Sequence, residues 1–421
     1  MRTASGAVAV SLLAVGCGAT STAKPPGTDA KHAAPAVSTV ATAPPAGPVP
    51  ATAAGNGGPA SWAAALHDSA HSGASVAAGP TTGAVRWARN LGGPVVAGPV
   101  VAGDGTIYES ANNGILHALN PATGADKWTF NGGGSSNNNH ELSTSPAILG
   151  DGTILWPGPN STLDAVDPTG KLLWQQKLAG TVLSPAVASG DKVYLADTVG
   201  DVAGLHATAA GAQQLWTTNV GKASFGSPAI GTDGTVYVTA DGNLVALSDA
   251  GNHASVKWRF AAGADIEVSA SVAPDGTVIL GTNDAYEYGI ISSGKVTWRY
   301  PRRVFSYSTP AATADGLAYF GDNNGYVDVV KASAGTVVGR YDGTSTPISS
   351  KGIGVWTAPL VDAHHDVYFG TASGHIVGFS YNGAKLFDHA TGAIVASYPA
   401  MTADGTLLIG SDNGTLYAFH G

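Results

Sequence analysis

The sequence holds one cysteine, Cys17, so no disulfide can form within the chain. Basic residues are also scarce. Twenty Lys+Arg stand against 29 Asp+Glu, a net charge of −9, and the basic face that nucleic-acid binding needs is missing. No nucleic acid is expected among the partners. The chain has no Gly-rich phosphate loop, no H-E-x-x-H and no G-x-S-x-G, which removes the usual signatures of nucleotide, zinc-hydrolase and serine-hydrolase chemistry. Its one sustained apolar run lies at the N-terminus and is too short for a permanent membrane span. What the chain does have is 58 glycines and 24 prolines, spread as punctuation every few residues. That pattern belongs to short strands and tight turns.

The N-terminal run reads as an export signal. "MRTASGAVAVSLLAVGC" has one early cation, Arg2, then apolar residues that end in small ones before Cys17. "LAVGC" resembles the lipobox of bacterial lipoproteins, with Leu13 one place early and Ala14 where leucine is commoner. The resemblance implies a signal peptide over residues 1–16, lipidation of Cys17, and anchoring to a membrane on the extracytoplasmic side without a transmembrane helix. If the lipobox is not used, the product is secreted. Residues 17–60 are Ala, Pro, Thr, Ser and Gly with almost no large apolar side chains, a composition that makes a tether and not a core.

A length of 421 residues would ordinarily suggest two or three domains. Internal repetition overrides that expectation. "SPAIGTDGTVYVTADGNLVALSD" (Ser227–Asp249) has cousins in "SPAILGDGTILWPGPNSTLDAVD" and "YPAMTADGTLLIGSDNGTLYAFH". Units begin near Pro99, Pro146, Pro185, Pro228, Ser271, Pro310, Pro359 and Pro399, about every 40 residues. Each has an inner run, a turn that is often Asp-Gly-Thr, an alternating strand, a polar loop, a third strand and a fourth strand with an aromatic. The aromatic series is Trp128, Trp174, Trp216, Trp258, Trp298, Tyr341 and Phe387. The eighth unit stops after three strands, and "GAVRWARN" with Trp87, far upstream, supplies the missing outer one. The expected fold is therefore all-β: an eight-bladed β-propeller over residues 61–421, each blade a four-stranded antiparallel sheet, closed by an N-terminal outer strand that completes the last blade. A short lead-in near Trp62 packs against this ring, and the domain is expected to be a monomer.

"ALNPATGADKW" (Ala118–Trp128) resembles the repeat of pyrroloquinoline-quinone (PQQ) enzymes, roughly A-x-D-x-x-T-G-x-x-x-W, and "AVDPTGKLLW" matches it with one deletion. The resemblance runs from about Trp62 to Gly421. It implies that the aromatic series, Trp87 included, docks between neighbouring blades. The family includes PQQ alcohol dehydrogenases, with paired cysteines over the cofactor and a calcium site of Glu, Asn and Asp. It also includes non-enzymatic propeller lipoproteins of the BamB type. A second cysteine is missing here, and no calcium ligands align.

Two face types follow from an up-and-down blade. Tight turns join first to second and third to fourth strands on one face. The second-to-third loops and the connectors between blades share the other, where variable loops favour binding. The connectors place His140, Glu141, Phe225, Glu267, Arg303, Phe305, Tyr307 and Trp356 around the mouth of the central channel, a mixture suited to a ligand or peptide. The loops add Asn112, Asn113, Asp197, Asp241, Asp284, Asp322, Asn324 and Asp412, oxygen donors without the spacing of a calcium loop. "DAHHD" (Asp362–Asp366) lies at a hairpin on the opposite face and reads as a polar turn, so no metal is expected. The favoured function is a non-enzymatic binding or scaffolding module for a protein, peptide or cell-envelope ligand. The alternative is a quinoprotein oxidoreductase using PQQ and Ca²⁺.

Overall fold

Asp104, Gly105 and Thr106 show how one repeat is built. The Asp104 carboxylate accepts the Thr106 N–H at 2.9 Å and its hydroxyl at 2.8 Å. Gly105 takes φ +82°, where a side chain would clash. The turn so closed joins β2 (Val100–Val101) to β3 (Ile107–Ala111), and β4 (Ile115–Leu119) and β5 (Asp126–Asn131) complete the sheet in order β2-β3-β4-β5. Asp151 and Asp233 hold their threonines in the same way. The computed structural model describes residues 62–133, 144–222, 226–342 and 354–421. Among these, eight four-stranded antiparallel sheets form the propeller.

Each fourth strand carries a β-bulge that aims its aromatic. In blade one the register skips Lys127, so that Leu119 pairs with Asp126 and Ala118 with Trp128. The indole then reaches the next blade, where Trp128 Nε1–H donates to the Pro168 carbonyl at 2.8 Å. Trp174, Trp258 and Trp298 donate in the same way to Thr208, Ser292 and Ala332, and Trp216 to the Asp249 carboxylate. All these acceptors lie at third-to-fourth turns. The threonine-glycine of the repeat has its physical reason here. A Cβ on Gly170 would stand 2.8 Å from the Trp128 ring, so only glycine lets the indole lie flat on the turn.

Blade seven substitutes Phe387, which keeps the register place opposite Gly378 and stacks on Phe419 of blade eight at 5.4 Å. Blade six keeps its docking aromatic in a different register. There the bulge sets Gly339 opposite Val329, at the tryptophan's place, and Tyr341, two residues further along the strand, does the docking. It is buried, its hydroxyl donates to the Tyr381 carbonyl in the third-to-fourth turn of blade seven at 3.4 Å, and its ring lies 5.9 Å from that of Phe379.

The last blade is completed from the N-terminal side. β1 (Val85–Asn90) pairs antiparallel with β32 (Thr415–Phe419), and β31 (Leu407–Gly410) and β30 (Ala400–Met401) follow, in sheet order β1-β32-β31-β30. Trp87 of this strand docks on blade one, donating to Pro121 O at 2.8 Å.

The lead-in does more than pack against the ring. The innermost strands β2, β6 (Ala147–Ile148), β14 (Ala229–Ile230), β18 (Ser271–Val272), β22 (Ala311–Ala312) and β26 (Leu360–Val361) each end with an N–H that points inward. Val101 donates to Trp62 O, Ile148 to Ala63 O, Ile230 to Ser69 O, Val272 to Ala70 O, Ala312 to Ser72 O and Val361 to Gly73 O. Residues 62–73 therefore cross the ring at the tight-turn face and bond to blades one, two, four, five, six and seven. Asp68 folds this plug, its Oδ1 accepting the Ala70 and Ser72 N–H groups. Burial would raise the Asp68 carboxyl, but hydrogen bonds and charge from His67 and Ser72 hold it down at about 2.

Candidate functional site

With one end of the channel plugged, the connector face is its remaining mouth. The connector from β21 (Val296–Pro301) into β22 alternates in direction like a strand. Ser306 and Ser308 turn inward. The Ser306 hydroxyl accepts the Ser308 N–H at 2.8 Å, and the Ser308 hydroxyl accepts the Gly321 N–H at 3.1 Å. Phe305 and Tyr307 therefore face out, 40% and 37% exposed. Trp356, on the connector into β26, joins them. Its Nε1–H donates to Asn323 Oδ1 at 3.1 Å, which fixes the indole over blade six. The three rings pack edge to face, Phe305–Tyr307 at 5.6 Å and 84°, Tyr307–Trp356 at 5.4 Å and 78°.

Charged groups flank this cluster. Glu267 accepts the Asn283 side-chain amide at 3.3 Å. Burial, and then the Glu267 charge, raise the Tyr307 hydroxyl above its ordinary value. Arg303 lies 4.1 Å above the Tyr326 ring and 3.3 Å from the buried Asp322 carboxylate. Burial chiefly raises the Asp322 carboxyl. Arg302 turns inward with Glu287, 3.6 Å apart and both shut off from solvent. Burial outweighs the arginine there and pushes Glu287 up to about 7.

The structure thus brings Glu267, Phe305, Tyr307 and Trp356 together, with Arg303 beside them. Glu141, Phe225 and His140 lie outside the described residues, as does Cys17. Sequence reading missed Asn323 and Tyr326. "GDNNGY" was indistinguishable from ordinary turn chemistry, and only the fold shows which asparagine meets the Trp356 indole.

The oxygen-bearing loops serve their own backbones. Asp197 Oδ1 accepts the Val199 and Asp201 N–H groups, and Asp322 Oδ1 those of Asn324 and Tyr326. Asp284 accepts the Tyr286 N–H and the Tyr288 hydroxyl, and Asn113 the Ile115 N–H. Asp241 takes the Lys222 N–H, Asp412 is likewise engaged, and Asn112 is buried. On the tight-turn face Asp362, His364 and Asp366 have ligand atoms within 4.8 Å of one another. Asp362 nevertheless accepts the His364, Asp366 and Gly79 N–H groups, and Asp366 accepts that of Tyr381. These carboxylates fold the turn and hold the lead-in. A cleft of about 220 Å³ between blades three and four also opens on that face. Its charges are mutually paired, Lys192 with Asp249 at 2.9 Å and Lys257 with Asp233 at 3.2 Å. Among the described residues, no ion pair or stacked cation covers the outer surfaces of Phe305 and Tyr307.

Comparison with known proteins agrees with this architecture. The family model described as outer membrane protein assembly factor BamB matches residues 36–193, 159–302 and 205–420. No protein of curated function matches the chain by sequence. Among solved structures, BamB from Moraxella catarrhalis is similar at 17% identity and TM-score 0.59, over 80% of this chain and 99% of that one. Quinohemoprotein alcohol dehydrogenase from Comamonas testosteroni gives 15% and 0.62, over 85% and 80%. Saccharomyces cerevisiae Sqt1 gives 13% and 0.65, over 81% and 99%. At these identities the likeness is one of fold.

Proposed function

Because the chain belongs to the family of outer membrane protein assembly factor BamB, we propose that it is a non-enzymatic binding module that engages a polypeptide of the cell envelope on its connector face. The observation that carries this reading is the Phe305–Tyr307–Trp356 cluster, two exposed rings and a half-buried indole held in place by Asn323 and buried serines. Rigid aromatic anchors on a closed scaffold are what a protein-binding surface needs, since little entropy is lost when they are covered. We further propose that the domain stands outside the cytoplasmic membrane on a tether lipidated at Cys17. The lipobox-like "LAVGC" and the low-complexity stretch after it support that placement. A Cys17→Ala variant is then released from membranes while the propeller stays folded.

The dehydrogenase alternative shares the fold, and the donors described on the connector face favour it less. PQQ with Ca²⁺ calls for carboxylate and amide oxygens converging in the funnel. Of the two described carboxylates flanking the aromatic cluster, Asp322 is committed to Arg303 and two backbone N–H groups, which leaves Glu267, with its one bond from the Asn283 amide, as a single carboxylate and not a converging set. Among the described residues, that donor set supports the non-enzymatic reading over the cofactor. Titrating the full chain with PQQ and Ca²⁺ should leave tryptophan fluorescence and melting temperature unchanged, with no alcohol-dependent dye reduction. Stoichiometric PQQ binding with turnover would replace the binding-module reading by the enzymatic one.

A further inference from the structure

Two neighbouring sets on the connector face pair an aromatic ring with a carboxylate. In the first, Tyr326 and Asp322, the chain supplies its own cation. Arg303 stacks over the Tyr326 ring at 4.1 Å and meets Asp322 at 3.3 Å. In the second, Tyr307 and Glu267, the rings of Phe305 and Trp356 extend the aromatic surface, and no ion pair reaches Glu267 among the described residues. Its one hydrogen bond there is from the neutral Asn283 amide.

We propose that the second set is a receptor for a cationic side chain, an arginine or lysine carried on an extended segment of the partner polypeptide. The inference rests on the binding-module reading and gives its ligand a chemistry. Ring faces attract a guanidinium or ammonium through the quadrupole, best when the site is partly dehydrated. Edge-to-face packing orients the three rings differently, so the cluster can meet a cation and its alkyl stem with different faces. Glu267 supplies the counter-charge at the rim. A net charge of −9 over the chain favours approach of a basic partner over an acidic one. The partner is taken to be a polypeptide because the site's residues come from the connectors into blades five, six and seven, an extended surface and not a closed pocket.

The test uses the full chain and two acetylated, amidated peptides, Gly-Ser-Arg-Phe-Arg-Ser-Gly and its citrulline counterpart, which has the same shape without the charge. Titration calorimetry at low ionic strength should find the arginine peptide bound about tenfold more tightly. Glu267→Gln should reduce its affinity to that of the citrulline peptide, and Tyr307→Phe, which keeps the ring, should bind better than Tyr307→Ala. An unchanged melting temperature in Glu267→Gln shows that the fold is intact. Equal affinity for the two peptides, or no binding of the arginine peptide at millimolar concentration, overturns the proposal. Free arginine amide binding as tightly as the peptide overturns its polypeptide part. If Phe305→Ala abolishes binding while Glu267→Gln and citrulline do not weaken it, the cation receptor falls and the binding module stands.

Discussion

Trp87 and Pro121 are joined by a 2.8 Å hydrogen bond, the indole Nε1–H of the N-terminal strand donating to a carbonyl in the first blade. Trp87 belongs to blade eight by sheet and to blade one by contact, so one residue secures both sides of the closure. A chain beginning at Ser61 should melt like the full chain. One beginning at Leu91 lacks β1 and leaves both β32 and blade one uncovered, and it should lose cooperative unfolding altogether. Thermal denaturation of the two separates these outcomes.

An intermediate truncation isolates the plug. A chain that begins at Gly83 keeps β1 but leaves the inward N–H groups of Val101, Ile148, Ile230, Val272, Ala312 and Val361 to water. At about 0.5–1.5 kcal/mol for each hydrogen bond, the loss should be roughly 3–9 kcal/mol. A melting temperature equal to that of the Ser61 chain would mean that the lead-in contributes nothing to the ring.

Trp298 and Trp356 should respond differently to truncation. Trp298 is 8% exposed and packs so closely that a Cβ on Gly335 would stand 2.7 Å from its ring. Trp298→Ala should cost about 3–5 kcal/mol in chemical denaturation. Trp356→Ala should cost less, because that indole is only half-buried and gives up one hydrogen bond to Asn323 and an edge-to-face contact with the exposed Tyr307.

Glu109 gives a prediction in pH. It is fully buried and faces His117 across the β3–β4 pair, with one oxygen accepting the Ser110 N–H and the other unpartnered among the described residues. Burial raises its carboxyl well above the ordinary 4.5. The folded chain therefore keeps this proton after the unfolded chain has lost it. The stability tied to that proton is full below the unfolded value and is lost as pH rises towards the folded one. Glu109→Gln removes the dependence. Its melting temperature relative to the native chain should rise between pH 4.5 and 7.5, and a constant difference would contradict the burial argument.

Several of these features can be read from the sequence, for physical reasons. Asp-Gly-Thr turns and alternating strands are local, and so is the tryptophan that follows threonine-glycine, which is why the blades and the Trp87 strand are visible in one dimension. Residues 62–73 give no such sign. They are mostly small, without apolar alternation, and their bonding partners are backbone groups of six different blades. Tyr341 was readable as a docking ring, but its place two residues beyond the tryptophan's register depends on a bulge that only pairing reveals. Phe305, Tyr307 and Trp356 were each readable as rim residues, but their convergence depends on two connectors meeting over Asn323.

Phe305 and Tyr381 offer the most direct measurement. Both are 40% exposed aromatics, Phe305 on a connector and Tyr381 on the tight turn between β28 (His375–Phe379) and β29 (Lys385–Ala390), on opposite faces of the ring. A photo-crosslinking amino acid is introduced at each position in turn and activated in intact cells. Binding on the connector face predicts a discrete polypeptide adduct from position 305, none from position 381, and loss of the adduct when Trp356→Ala is added. Adducts from 381 alone, or from 305 regardless of Trp356, would contradict it.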